Sequence, residues 1–181
     1  MPIQPNFKGA KFISKFNQGD EGAFLEMHSH YAPKIFRHAY YRLNSKETAQ
    51  DIAQQVFFKV WEYIAGSDNK IDNINAFIYR TTNNLIADYY RKAERKNIAL
   101  DDADEKKFAT EPSYINEVDK NFEMAKVKKA ILKLDPSQQQ LIVWRYIDDL
   151  PISQIAKISG KSINAIYVGL HRALKHLKII L

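Results

Sequence analysis

Between residues 20 and 43 apolar side chains recur at Ala23, Phe24, Met27, Tyr31, Ile35, Phe36, Ala39, Tyr40 and Leu43. Steps of three and four place them on one helical stripe. Pro33 lies inside this run, where it removes a backbone donor and is expected to kink or divide the helix. Ser45 is then a candidate N-cap with Glu47 in the first turn. In the helix it opens, Ala49, Ile52, Ala53, Val56, Phe57, Val60, Trp61 and Ile64 share one face. The opposite face carries Gln50, Asp51, Gln54, Gln55, Phe58, Lys59 and Glu62, and burial in the chain's own core does not explain Phe58 there. A polar stretch over 66–73 breaks the pattern, and Asn73 is placed to cap a third helix from Ile74. Its stripe is Ile74, Phe77, Ile78, Thr81, Leu85, Ile86 and Tyr89, which turns Tyr79, Arg80, Asn83, Asn84, Asp88, Arg91 and Lys92 towards other faces. The helix ends in a basic group, Arg91, Lys92, Arg95 and Lys96.

Periodicity is lost over 97–116, where Asp101, Asp102, Asp104, Glu105 and later Pro112 read as a linker. A second unit starts near Val118, with a helix carrying Phe122, Ala125, Val127, Ala130, Ile131 and Leu134. Asp135-Pro136-Ser137-Gln138 restarts the chain as N-cap, first helical Pro and capping-box partner, and the next helix is expected to reach Ile147. Two further segments, 152–158 and 162–177, are hinged by Ser159-Gly160-Lys161, the signature of a helix-turn-helix. In the last one Ile163, Ile166, Leu170, Ala173, Leu174 and Leu177 form the expected inward stripe. Asn164, Tyr167, Val168, His171, Arg172 and Lys175 turn outward, where groove-entering residues lie, and Ser162 caps the helix.

Composition narrows the function. With 6 Gly and 6 Pro in 181 residues, long helices are favoured over many short strands, and the class is all-α. A formal charge of +6 favours a polyanionic partner, although a solvated lysine surface gives the same balance. Cysteine is absent, which removes disulfides and thiolate chemistry and fits a reducing cytoplasm. No signal peptide or stretch of roughly 20 apolar residues is evident, so the expected location is cytoplasmic. His28 and His30 point to different faces of a helix, so no metal is expected. No phosphate loop, nucleophile motif or cofactor signature is present; neither an enzyme, a cofactor nor a small-molecule substrate is expected.

Three runs resemble extracytoplasmic-function (ECF) sigma factors of the sigma-70 family. Asp51-Ile52-Ala53-Gln54-Gln55-Val56-Phe57 with Trp61 is similar to the family's second region, which docks on the clamp helices of RNA polymerase. The run Ala76-Phe77-Ile78-Tyr79-Arg80-Thr81-Thr82-Asn83-Asn84-Leu85-Ile86-Ala87-Asp88-Tyr89-Tyr90-Arg91 resembles the helix that melts and reads the minus-ten element. Leu134-Asp135-Pro136, Ile155-Ala156 through Ser162, and Leu170-His171-Arg172-Ala173 are similar to the fourth region, which reads the minus-thirty-five element and touches the polymerase flap. The resemblance implies two small helical domains joined by a flexible linker: a three- to four-helix region 2 bundle over 16–96, a linker over 97–117, and a helix-turn-helix region 4 over 118–181.

By the same resemblance Asp51, Gln54, Gln55 and Phe58 meet core polymerase. Ser67, Asp68, Asn69, Tyr79, Arg80, Asn83, Asn84, Asp88, Arg91, Lys92 and Arg95 meet minus-ten DNA; Ser162, Asn164, Tyr167, His171, Arg172 and Lys175 meet the minus-thirty-five element. Aromatic residues beside cations suit capture of unstacked bases, while Tyr89 sits on the apolar stripe and reads better as core. An anti-sigma factor, often membrane-anchored, is the further partner the family implies. Two positions depart from it. Gln55 replaces a common acidic residue, and Asn164-Ala165-Ile166-Tyr167-Val168-Gly169-Leu170 offers few donors where the family presents Thr, Lys, Ser and Arg to bases. The alternative is therefore a helical interaction protein that keeps the sigma fold with reduced DNA readout.

Overall fold

The computed structural model describes residues 7–66, 70–95 and 122–181, and within these it is helical without a strand. The linker over 97–117, the loop residues Ser67, Asp68 and Asn69, and Lys96 lie outside the described residues. The described residues form eight α-helices in order: α1 (Ala10–Asn17), α2 (Glu21–Tyr40), α3 (Lys46–Ala65), α4 (Ile74–Arg95), α5 (Phe122–Leu132), α6 (Pro136–Ile142), α7 (Ile152–Ser159) and α8 (Ile163–Ile180). A π turn, Val143–Ile147, continues α6. None of the described helices is long and apolar enough to cross a membrane.

Polar caps set the helix starts. Asp20 accepts from Ala23 N at 2.8 Å, Ser45 from Thr48 N at 3.2 Å, Asn73 from Ala76 N at 2.9 Å and Ser162 from Ala165 N at 3.2 Å. Asp135 accepts from the amides of both Ser137 and Gln138 at 3.0 Å. The expected reciprocal role of Gln138 is replaced, because its amide instead reaches His176 on α8 at 2.9 Å. Between α7 and α8, Gly160 takes φ +69°, a left-handed turn that costs a glycine little.

The helices that form the two units are packed against each other. Ala49, Ile52, Val56, Val60, Ile74, Ile78 and Ile86 belong to the same buried cluster as Trp144, Leu150, Ile155, Ile158 and Ile166. A second cluster joins Ile131, Leu134, Ile142, Val143 and Ala173 to Tyr41 at the end of α2.

Several expectations need correction. The helix through Pro33 is not divided: α2 runs unbroken from Glu21 to Tyr40. A helix absent from the sequence reading, α1, opens at Ala10, and Phe7 ahead of it packs against Tyr31 at a centroid distance of 5.4 Å. Ile163 and Leu174 are exposed, and Ile166, Leu170 and Ala173 alone form the fully inward stripe of α8. Gly169 lies against α6: a Cβ there would come within 2.6 Å of Leu141 Cδ1, so its lack of a side chain serves the packing of α8 on α6.

Candidate polymerase and nucleic-acid interfaces

Burial of Ala49, Ile52, Ala53, Val56 and Val60 against α2 and α4 leaves the other side of α3 to solvent. Asp51, Gln54 and Gln55 are exposed there, and Phe58 keeps 63% of its surface accessible. An exposed aromatic ring framed by acid and amide groups fits a protein-docking surface. Trp61, by contrast, is half-buried and meets Phe24 edge-on at 5.0 Å.

The candidate minus-ten residues on α4 separate onto two faces. Asn84 and Asp88 line an open groove of about 750 Å³ between α3 and α4, together with Lys59, Tyr63, Phe77 and Thr81. Tyr63 and Phe77 lie 4.6 Å apart in its wall, an aromatic surface suited to a base. Tyr63 escaped the sequence reading because it is flanked by the stripe of α3 without belonging to it.

The other face of α4 is occupied. Tyr79 is 1% exposed, so in this arrangement its ring is packed in the core and does not reach the surface. Burial, followed by the charge of Asp148, raises its hydroxyl pKa well above the ordinary tyrosine value. Arg80 donates through Nε to Ile158 O at 3.0 Å and through Nη2 to Lys157 O at 2.6 Å, tying α4 to the end of α7. The side chain of Asn83 is spent internally: its amide donates to Tyr79 O at 2.8 Å and its carbonyl accepts from Arg42. Arg42 is 5% exposed, and burial pushes its pKa down to about 10, which leaves it charged at neutral pH. At the end of α4, Arg91 pairs with Asp88, whereas Lys92 and Arg95 are exposed.

Asn17 organises the approach to α4 from a distance. Its side chain donates to Ile71 O at 3.2 Å and accepts from Ile71 N at 2.8 Å, pinning the chain that leads into the helix. On α8, Ser162, Asn164, His171, Arg172 and Lys175 are exposed, and Tyr167 keeps 58% of its surface. They form one outward face joined by the apolar Ile163 and Val168.

Residues 27–96 match the family described as Sigma-70 region 2, and residues 124–177 the one described as Sigma-70, region 4. The chain belongs to the sigma-70 family. This sigma factor is 24% identical over 175 residues to the ECF RNA polymerase sigma factor BldN of Streptomyces coelicolor, across 94% of the chain and 65% of BldN. It is 26% identical over 177 residues to the ECF RNA polymerase sigma factor SigW of Bacillus subtilis, across 93% of the chain and 94% of SigW. The sigma factor RpoE from Bartonella quintana, solved in complex with the anti-sigma factor NepR, shares its fold with a TM-score of 0.65. That likeness carries 20% identity over 87% of this chain and 95% of RpoE. The two regions, in this order, make the protein a sigma factor of transcription initiation, similar to members of the ECF type, and the interaction-protein alternative is not favoured.

Proposed function

We propose that this sigma factor binds core RNA polymerase in the cytoplasm through the exposed face of α3 and directs it to promoters that its two units read separately. The observation that carries this is Phe58, exposed among Asp51, Gln54 and Gln55 on a helix whose remaining face is core. The polymerase supplies all the chemistry, through contacts at its clamp helices and flap, and the sigma factor is not an enzyme. The unit over 16–96, extended by α1, captures the melted minus-ten strand, and the unit over 118–181 anchors the upstream duplex.

On α4 the groove face supports this best. Asn84 beside Tyr63 and Phe77 offers a polar group next to aromatic rings, and Lys92 and Arg95 continue the track with positive charge. The loop residues Ser67, Asp68 and Asn69 remain candidates for an unstacked base. Arg80 and Asn83 join the DNA surface only when their present partners release them, and Arg91 only in part while it holds Asp88. On α8, Asn164 and His171 are assigned to bases, Arg172 and Lys175 to phosphates, and Tyr167 to apolar contact beside the Ser162 cap. An anti-sigma factor, often membrane-anchored in this family, is the expected inhibitor.

Core polymerase pull-down followed by run-off transcription from a randomised promoter pool tests the assignment. Polymerase-dependent selection of a two-part promoter is expected. Binding without any selected sequence would reduce the protein to a polymerase-associated module.

A further inference from the structure

We propose that the buried contact between His38 and Asp148 is a latch that holds the two halves of this sigma factor closed over one face of α4. Its consequence for promoter binding rests on the function proposed above; the latch itself does not. His38 Nδ1 and Asp148 Oδ2 lie 2.6 Å apart, 110 residues apart in sequence, with both side chains fully buried. His38 comes from α2 and Asp148 follows the π turn, so the pair bridges the first unit and the second.

Asp148 is set against a stretch of basic side chains. Lys34, His38 and Arg42 are spaced by four along α2 and its end, and the charge of Asp148 acts on both Lys34 and Arg42. Tyr79 closes the node from α4, its ring edge-on to His38 at 5.6 Å. The next residue, Arg80, makes the second bridge through the carbonyls of Lys157 and Ile158. Of these two adjacent residues of α4, Arg80 is held directly by the second unit, and Tyr79 packs on the histidine that meets Asp148.

The node is built to be left as well as made. His38 Nε2, Asp148 Oδ1, Tyr79 OH and Arg42 Nε are buried without a hydrogen-bond partner among the described residues. Each such group costs free energy that water would restore on separation. A joint stabilised by one buried hydrogen-bonded contact and shared apolar surface, and weakened by four unpaired polar atoms, holds while that contact is intact and yields when it is broken. Opening frees Arg80 and uncovers the side of α4 that now faces α7.

Because the chain has no cysteine, Lys15→Cys and Lys178→Cys place one donor and one acceptor dye on exposed positions of α1 and α8. Single-molecule energy transfer on the full chain, without DNA or polymerase, then reads the separation of the halves. In the parent one high-transfer population should dominate. Asp148→Asn, near in shape but uncharged, should raise the low-transfer population by about tenfold with the helical circular dichroism retained. Arg80→Ala, which removes only the second bridge, should move it in the same direction and covers the case in which Asp148→Asn fails to fold. Unchanged transfer in Arg80→Ala and in a folded Asp148→Asn overturns the latch. Holoenzyme that opens normally yet initiates at no promoter would instead sink the promoter-reading roles proposed above and leave the latch standing.

Discussion

A tyrosine hydroxyl buried without a partner is a cost, and Tyr79 carries one. Tyr79→Phe should therefore leave the melting temperature unchanged or slightly higher, and should not weaken a minus-ten oligonucleotide. A loss of DNA affinity would return Tyr79 to the binding surface. Asp51→Ala with Gln54→Ala should do the reverse: both residues are exposed, so thermal stability should hold while affinity for core polymerase falls in a binding titration. These two cases show what the residue pattern can disclose. The face of α3 was legible because only one side of that helix is covered, so polar and apolar positions separate cleanly. The burial of Tyr79 was not legible because α4 is covered on two sides, by α2 and α3 and again by α7, and a single-stripe reading accounts for only one of them. His38 and Asp148 had no signal at all, since a lone buried pair far apart in sequence leaves no periodicity.

At the scale of the element, starts were more legible than surroundings. Ser45, Asn73, Asp135 and Ser162 all cap as their side-chain chemistry requires, whereas α1 went unread because Phe7, Phe12 and Phe16 are separated by Lys, Gly and Ser in too short a run. Asp135→Ala should cost about 1 kcal/mol of stability in denaturant unfolding. Burial pushes the Asp135 carboxyl up, but the Ser137 hydroxyl, the amides of Gln138 and Ser137 and the charge of His176 outweigh it and leave the pKa lowered. A depressed carboxylate contributes stability above its unfolded pKa and loses it as pH falls through the folded one. The gap between parent and Asp135→Ala should therefore be full at neutral pH and close below about pH 4. The basic end of α4 has its own measurement. Lys92→Ala with Arg95→Ala should lower the salt slope of promoter binding by about 1.8 units, since each phosphate contact on duplex DNA contributes roughly 0.9. An unmoved slope would mean that these side chains only solvate the helix end.

On the function proposed above, the two units of the whole molecule act on one promoter at once, so their contributions should separate in a selection experiment. Asn164→Ala and His171→Ala should each relax base preference at a different upstream position, at about 1 to 3 kcal/mol per direct contact. Arg172→Ala should weaken all sequences nearly alike. The core shared between the units has a thermal consequence. Separating them exposes apolar surface around Trp144, Ile155 and Ile158, and hydration of such surface raises the heat capacity of the separated form. The equilibrium between the two arrangements should therefore follow a curved van't Hoff plot, and the joint should loosen on cooling as well as on warming. A cell carrying this protein would then find its reserve of promoter-ready molecules set partly by temperature, before any inhibitor is made or destroyed.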